Sequence, residues 1–207
     1  MPLPFPYFQR HTLSPPILTY LGVGWRLLRG PLEQRRAERI IAAARRQGPL
    51  YLFAMQTEDD FSLRAYSHYA DQDEAMHEVI VSFARHAPKN ASLIFKLHPL
   101  DPGLKAWGRR TRNMASAASV ASRVHFIDGG DLDSMLSAAA GVVTINSTVG
   151  LRAIELQRPT IALGKALYRV PGLAFERPLD DFWTANSAPD ARLVDAYLRA
   201  IAATLHV

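Results

Sequence analysis

Five short apolar runs punctuate this chain: Leu50–Met55, Ser92–Leu97, Val124–Ile127, Val142–Ile145 and Thr160–Leu163. Each is roughly four to six residues long, a strand length rather than a helix length. They carry apolar residues at consecutive positions, as strands covered on both faces do. Between them lie helical patterns at 71–86, 102–122, 131–139 and 148–157, and a last one runs from about 189 to 205. Asp71 followed by Glu74 has capping-box spacing, and Met76, Val79, Ile80 and Phe83 then recur on one face. Asp131 opens the next short helix. Strands alternating with helices predict βαβ units. The expected fold class is α/β: a single Rossmann-like domain, residues 49–207, with a parallel sheet of about five strands.

Residues 1–48 read differently. Residues 1–30 are rich in proline and aromatics, including Phe5, Tyr7, Phe8, Tyr20 and Trp25, and suggest an irregular docking segment. A helix is predicted from Pro31 to just before Gly48, with proline at its start and glycine past its end. Leu32, Ile40, Ile41 and Ala44 make a narrow stripe on it; Arg35, Arg36, Arg39, Arg45 and Arg46 cover the rest. That basic surface is either solvated or laid on an anionic membrane.

The 207 residues carry a net charge of +5 and are 48% hydrophobic. That is enough for a packed core, and the balance favours anionic partners. No arginine-rich recognition helix interleaved with aromatics points to nucleic acid. There is no cysteine, so disulfides, thiolate zinc sites and thiol nucleophiles are excluded. No apolar run reaches the ~18 residues of a membrane span, and prolines at 2, 4, 6, 15 and 16 spoil a signal peptide. A cytoplasmic protein is expected, peripheral to the inner membrane if the basic helix touches it.

Two strand ends carry candidate chemistry. Val142–Ile145 breaks off at Asn146-Ser147-Thr148, all good helix caps. The triplet either caps a helix and no more, or joins hydroxyls to a helix N-terminus that attracts phosphate. Ser92–Leu97 ends at His98-Pro99, with Lys96 just before. Ligands of open α/β sheets bind outside the carboxyl ends of strands, so both ends can face one ligand. After the first strand, Gln56-Thr57-Glu58-Asp59-Asp60 offers a general base, a metal ligand or a solvated loop. Arg64, Tyr66 and Ser67 follow. Gly164-Lys165 after the fifth strand permits close backbone approach and a phosphate contact. No Walker A, dinucleotide-binding, G-x-S-x-G or H-E-x-x-H motif occurs, and the histidines lack metal-ligand spacing.

Seven segments, taken in order, resemble the bacterial capsule polysaccharide synthesis and export family. They are Gln56-x-x-x-Asp60-Phe61-x-Leu63-Arg64-x-Tyr66-Ser67, Ser82-Phe83-Ala84-x-His86-Ala87-Pro88, Lys96-Leu97-His98-Pro99-Leu100-Asp101-Pro102, Arg123-Val124 with Asp128-Gly129-Gly130, Asn146-Ser147-Thr148-Val149-Gly150-Leu151, Leu163-Gly164-x-Ala166-x-Tyr168-x-Val170-Pro171-Gly172-Leu173 and Leu179-Asp180-x-Phe182-Trp183. They cover roughly residues 50–185. That family includes β-Kdo transferases, so the resemblance implies the C-terminal, donor-binding half of a GT-B glycosyltransferase. It further implies CMP-Kdo as donor, a lipid-linked glycan acceptor, inverting transfer and no metal or other cofactor. On this resemblance His98, Pro99, Asn146, Ser147 and Thr148 hold the nucleotide phosphate, with Lys96, Gln56 and Gly164 around it. Asp60 or Glu58 lies on the acceptor side as base. Ser62 stands where the family pattern has glutamine. Only about fifty residues precede the first strand, too few for a first Rossmann domain. The alternative reading is therefore a non-catalytic subunit that binds nucleotide sugar or polysaccharide among other capsule synthesis and export proteins.

Overall fold

The computed structural model describes residues 16–57 and 60–205. Its strands are β1 (Leu50–Ala54), β2 (Ser92–Lys96), β3 (Val124–Ile127), β4 (Gly141–Thr144) and β5 (Thr160–Ala162). They form one sheet in the order β3-β2-β1-β4-β5, with every neighbouring pair parallel. Helices α1 (Pro16–Gln47), α2 (Phe61–Ala65), α3 (Gln72–His86), α4 (Trp107–Ala117), α5 (Leu132–Ala138), α6 (Val149–Glu155), α7 (Leu179–Ala185) and α8 (Ala191–Leu205) complete the described fold. The expected fold class is what the chain adopts: one α/β domain on a five-stranded parallel sheet.

The doubly apolar strands divide their side chains between two layers. Tyr51 and Phe53 of β1 join Phe95 of β2 beneath α3, α4 and α7. Leu50 and Leu52 join Ile94 and Val142 beneath α1, α5 and α6. Successive strand residues point to opposite faces, so each five-residue strand feeds both cores. Phe53 and Phe95 are fully buried, their ring centroids 5.0 Å apart. A third cluster, with Tyr168, Leu173 and Val194, seats α8 beside β5.

The caps of α3 and α5 follow the sequence. Asp71 accepts from the Glu74 amide at 3.0 Å, and Glu74 accepts in return from the Ala70 amide at 2.7 Å. Asp131 accepts from the Ser134 amide at 2.7 Å. Phe182 and Trp183 of α7 are buried and packed together, ring centroids 5.9 Å apart.

Three of the expected helices begin or end elsewhere than the sequence predicts. The first helix begins at Pro16, so Pro31 lies inside it and residues 16–30 are helical, not irregular. An internal proline removes a helix hydrogen bond, and tertiary anchors offset that loss. Gly22 lets α1 approach the Pro102 carbonyl so closely that a Cβ would collide with it, and Arg26 forms an ion pair with Asp128. Residues 1–15 lie outside the described part. Helix α4 is shorter than 102–122 at both ends. Gly103 turns with positive φ while its amide bonds the Asp101 carboxylate at 2.7 Å, which delays the start. At the far end Ser119, at φ 58°, closes the helix with Ser119 N–H to Ser116 carbonyl and Val120 N–H to Ala115 carbonyl bonds. Gln157, also at φ 58°, ends α6 in the same way through Ile154 and Ala153. These are Schellman closures, in which glycine is the usual stop signal.

The left-handed backbone penalises a residue with a Cβ. Ser119→Gly and Gln157→Gly should each therefore stabilise the fold by about 0.5–1 kcal/mol, net of the chain entropy of glycine. Phe53→Ala should cost about 3–5 kcal/mol. Urea denaturation checks all three; a loss of stability on Ser119→Gly would refute the strain argument.

Candidate functional site

Strands β1 and β4 are neighbours, but the chain leaves β1 towards β2 and leaves β4 towards β5. Such a switch point opens a crevice at the carboxyl ends of the strands. Gln56 follows β1 and Asn146 follows β4, and their side chains close the seam. Gln56 Nε2 donates to Asn146 Oδ1 at 2.7 Å, and Gln56 Oε1 accepts from the Asn146 amide at 3.2 Å. Asn146 Nδ2 donates to the Ser62 carbonyl at 2.7 Å. The Gln56 amide donates to Gln72 Oε1 at 2.7 Å. Gln56 is only 3% exposed, so these partners replace the water it has lost.

Asp60 belongs to the same network. It caps α2, accepting from the Ser62 amide at 2.9 Å and from Gln56 Nε2 at 3.2 Å. Burial works against its ionisation. Hydrogen bonds from Ser62 and Gln56, with the nearby His98, outweigh that and hold its carboxyl below the usual carboxylate range. Glu58, the other candidate base, lies outside the described residues, as does Asp59.

His98 stands past the end of β2. The Leu100 amide donates to its Nδ1 at 3.1 Å. The ring proton of neutral His98 is therefore on Nε2, which makes that nitrogen a donor. Burial lowers the His98 pKa; Asp101 and Asp60 pull it back, and Lys96 and Arg26 push it further down. The imidazole is neutral at neutral pH.

The loop carrying His98 is held from α1. Arg26 donates to the carbonyls of Pro99 at 3.0 Å, of Asp101, and of His98 at 3.5 Å, while its guanidinium pairs with Asp128 after β3. Asp101, 4% exposed, accepts from the Gly103 amide and from the Trp107 indole at 3.3 Å. Pro99 is exposed beside His98.

The triplet after β4 is fixed from below. Tyr168 is buried, and its hydroxyl donates to the Ser147 carbonyl at 2.7 Å and lies 2.7 Å from Thr144 Oγ1. Because the phenol has one proton, Thr144 supplies the second bond's donor. Burial pushes the Tyr168 pKa well up. Gly150 lies against this phenol, where a Cβ would fall onto the hydroxyl. Ser147 Oγ accepts from the Val149 amide at 3.3 Å. Thr148 occupies the cap position of α6 but makes no side-chain cap bond, and it is exposed. Asn146 caps nothing; its amide is spent across the seam.

The structure thus joins Gln56, Asp60 and Asn146 directly, couples His98 to Asp60 electrostatically, and places Ser147 and Thr148 next to Asn146. Lys96 turns aside: its ammonium donates to the Leu97 carbonyl at 3.0 Å, and burial lowers its pKa between Asp128 and Arg26. Gly164 serves the chain itself. Its amide donates to the Ile145 carbonyl at 2.8 Å, and a Cβ there would sit 2.8 Å from the Tyr66 carbonyl. The Ser67 hydroxyl is committed to the Leu63 carbonyl, and Arg64 and Tyr66 are exposed. Among the described residues no three His, Asp or Glu side chains gather as a metal cluster. Sequence reasoning missed Arg26, Gln72 and Tyr168 as supports. Arg26 had a signal in the Asp128-Gly129-Gly130 turn that it pairs with, and Tyr168 in its place within the sixth family segment; Gln72 had none.

The chain belongs to the capsule polysaccharide biosynthesis protein family, whose profile matches residues 2–207. It is 34% identical over 143 residues to the capsule polysaccharide export protein KpsS of Escherichia coli, covering 69% of this chain and 37% of that one. To the capsule polysaccharide modification protein LipB of Neisseria meningitidis serogroup A it is 31% identical over 155 residues, covering 74% and 37%. The chain therefore spans little more than a third of these relatives. Among solved structures it is similar to Thermosulfurimonas dismutans KpsC, a β-Kdo 2,7 transferase, at 21% identity and TM-score 0.43, over 78% of this chain and 55% of that one.

Gly150→Ala should cost about 1–3 kcal/mol by overpacking against Tyr168. Gly24→Ala, with open space around the added carbon, should gain about 0.5–1 kcal/mol in helix α1. Thermal unfolding of the two variants checks this opposition. Asp60→Ala should cost about 1 kcal/mol at pH 7 through loss of the cap. The folded pKa of Asp60 lies below its unfolded value, so its ionised form stabilises above about pH 4 and that contribution is lost as pH falls through the folded value. The gap between wild type and Asp60→Ala should narrow towards pH 3; a gap independent of pH would contradict this.

Proposed function

We propose that this chain supplies the donor-binding half of a capsule glycosyltransferase that transfers Kdo from CMP-Kdo to a lipid-linked glycan with inversion and without a metal. The observation that carries the reading is a juxtaposition at the switch point: Gln56, after β1, bonds both Asn146, after β4, and Asp60, while a neutral His98 follows β2 and Thr148 opens α6.

Transfer releases CMP, so negative charge grows on its phosphate as the glycosidic bond breaks. Donors already aimed at that charge stabilise the transition state without reorganising. His98 Nε2–H and the hydroxyls of Thr148 and Ser147 take this role. Pro99 stands in the turn that follows β2, and Asn146, bonded to Gln56 and to the Ser62 carbonyl, anchors the triplet. Asp60 is ionised on the acceptor side. Its hydrogen bonds make it a weak base, and catalytic bases work best with a pKa near the operating pH. Asp60 therefore orients an acceptor hydroxyl more readily than it removes the proton, and Glu58 is the second candidate for that step. Acceptor contacts come from a further domain or from other capsule synthesis and export proteins, on the cytoplasmic face of the inner membrane. No helix among the described residues is long and apolar enough to cross that membrane.

The weakness of Asp60 as a base supports a second reading: a subunit that binds nucleotide sugar and transfers nothing itself. Calorimetric titration with CMP tests the shared premise. Wild type should bind, and His98→Ala should bind at least tenfold more weakly with unchanged thermal stability. Ser147→Ala should lower affinity if its hydroxyl meets phosphate, and stability alone if it only ties the Val149 amide. Absence of CMP binding to folded wild type would overturn both readings. Binding without transfer from CMP-Kdo, in the presence of capsule acceptors, would select the second.

A further inference from the structure

A groove over the sheet edge gathers five arginines. Strand β3 is an edge strand, and α1 and α4 pack on it from opposite faces of the sheet. Between them runs a groove of about 340 Å³ with Phe126 of β3 in its wall. A continuation of about 270 Å³ shares Arg36, Gly108, Arg112 and Phe126 with it. The main groove is lined by Arg26, Arg29, Arg36, Lys105, Arg109 and Arg112 against two carboxylates, Glu33 and Asp128.

Lys105 has Asp73 at 4.0 Å outside the groove, and the two carboxylates of the groove do not neutralise its five arginines. Asp128 is taken by Arg26. Arg29 and Arg36 share the single Glu33, at 3.6 and 3.4 Å. Arg109 and Arg112, exposed and one turn apart on α4, have no carboxylate partner among the described residues. Arg29 and Arg36 are about 10 Å apart along α1, at ~1.5 Å per residue. The unbalanced charges thus form two rows that face each other across a concave channel. Trp25 stands at its mouth, 62% exposed, with the Arg29 guanidinium 5.9 Å from its ring centroid.

We propose that this groove binds an extended acidic glycan, a chain of sugars bearing carboxylate or phosphate groups. Opposed rows of cations suit a linear polyanion, and the walls would screen its charges less than open solvent does. An exposed indole offers a flat apolar face to a sugar ring. Concavity disfavours a bilayer surface, and membership of a capsule polysaccharide family favours a glycan over a nucleic acid. The proposal does not depend on CMP binding at the switch point.

Fluorescence anisotropy with a labelled oligogalacturonate decamer tests it, using the full chain at low salt. Wild type should bind the decamer and ignore neutral dextran of equal length, and binding should weaken steeply as salt rises. Arg109→Ala/Arg112→Ala should weaken binding at least tenfold and Trp25→Ala several-fold. Arg85→Ala/Lys89→Ala, which removes exposed cations at the end of α3, should leave it unchanged. All three variants alter exposed side chains, so their thermal unfolding and CMP titration should match wild type. Equal loss in the two double variants would show non-specific charge attraction and overturn the proposal. So would an unaffected groove variant, or binding of dextran. A labelled oligodeoxynucleotide bound as tightly as the glycan, or anionic vesicles bound when the free glycan is not, would overturn it in favour of nucleic acid or membrane.

Discussion

The Gln56 amide crosses the seam between the two halves of the sheet, and the geometry of the crevice depends on it. Strands β1 and β4 are already joined by ladder hydrogen bonds, but ladders end where strands end. Beyond them the two chains diverge, and their backbone groups need other partners. Gln56 presents a donor and an acceptor to Asn146, the same pairing the ladder would have supplied. Asn146 turns its own donor to the Ser62 carbonyl, which ties α2 to the seam. Buried polar groups specify geometry where they are satisfied, as Gln56 and Asn146 are; Gln72, which accepts from the Gln56 amide, leaves its own Nε2 unpaired among the described residues. Here the Gln56 and Asn146 bonds set where Ser147 and Thr148 stand relative to Asp60.

The other wall of the crevice hangs from α1. Arg26 reaches three carbonyls of one loop, those of His98, Pro99 and Asp101, and one carboxylate, so the position of His98 depends on a residue 72 positions earlier in the chain. A planar guanidinium with five donors suits this task in a way an ammonium does not. Helix α1 is therefore part of the site's support and of the groove's wall at once. Anything that shifts α1 against the sheet moves the His98 loop with it.

How much of this was legible in the sequence follows from the range of each interaction. Strand positions were legible because β1 to β5 are apolar on both faces, and the caps at Asp71 and Asp131 because capping is local. The ends of α4 and α6 were not, since Ser119 and Gln157 take the left-handed conformation that glycine would have advertised. Pro31 signals a helix start by local rules, and the contacts of Gly22 with Pro102 and of Arg26 with Asp128, far along the chain, override it. The candidate residues Asp60, His98 and Asn146 could be placed at strand ends by pattern alone. That Asn146 would close the seam rather than cap a helix could not be, because Gln56 lies 90 residues away. Gly164 was recognised as a point of close approach, but what approaches is the chain's own Tyr66 backbone.

The cations and the neutral donors are sorted into different places, and this bears on chemistry. At the switch point the His98 Nε2–H and the Ser147 and Thr148 hydroxyls donate to no acceptor among the described residues, whereas Lys96 and Arg26 are bound to carbonyls and to Asp128. On the proposed reading a free cation there would grip the product dianion tightly and slow its release. Neutral donors interact modestly with a phosphodiester and more strongly as it becomes a dianion, so their contribution grows along the reaction. On the proposed reading, a crevice of neutral donors favours the departing charge while leaving the product CMP free to go. Arg109 and Arg112, without a carboxylate partner among the described residues, are then available for a ligand whose charge does not change, which is what the groove between α1 and α4 would hold.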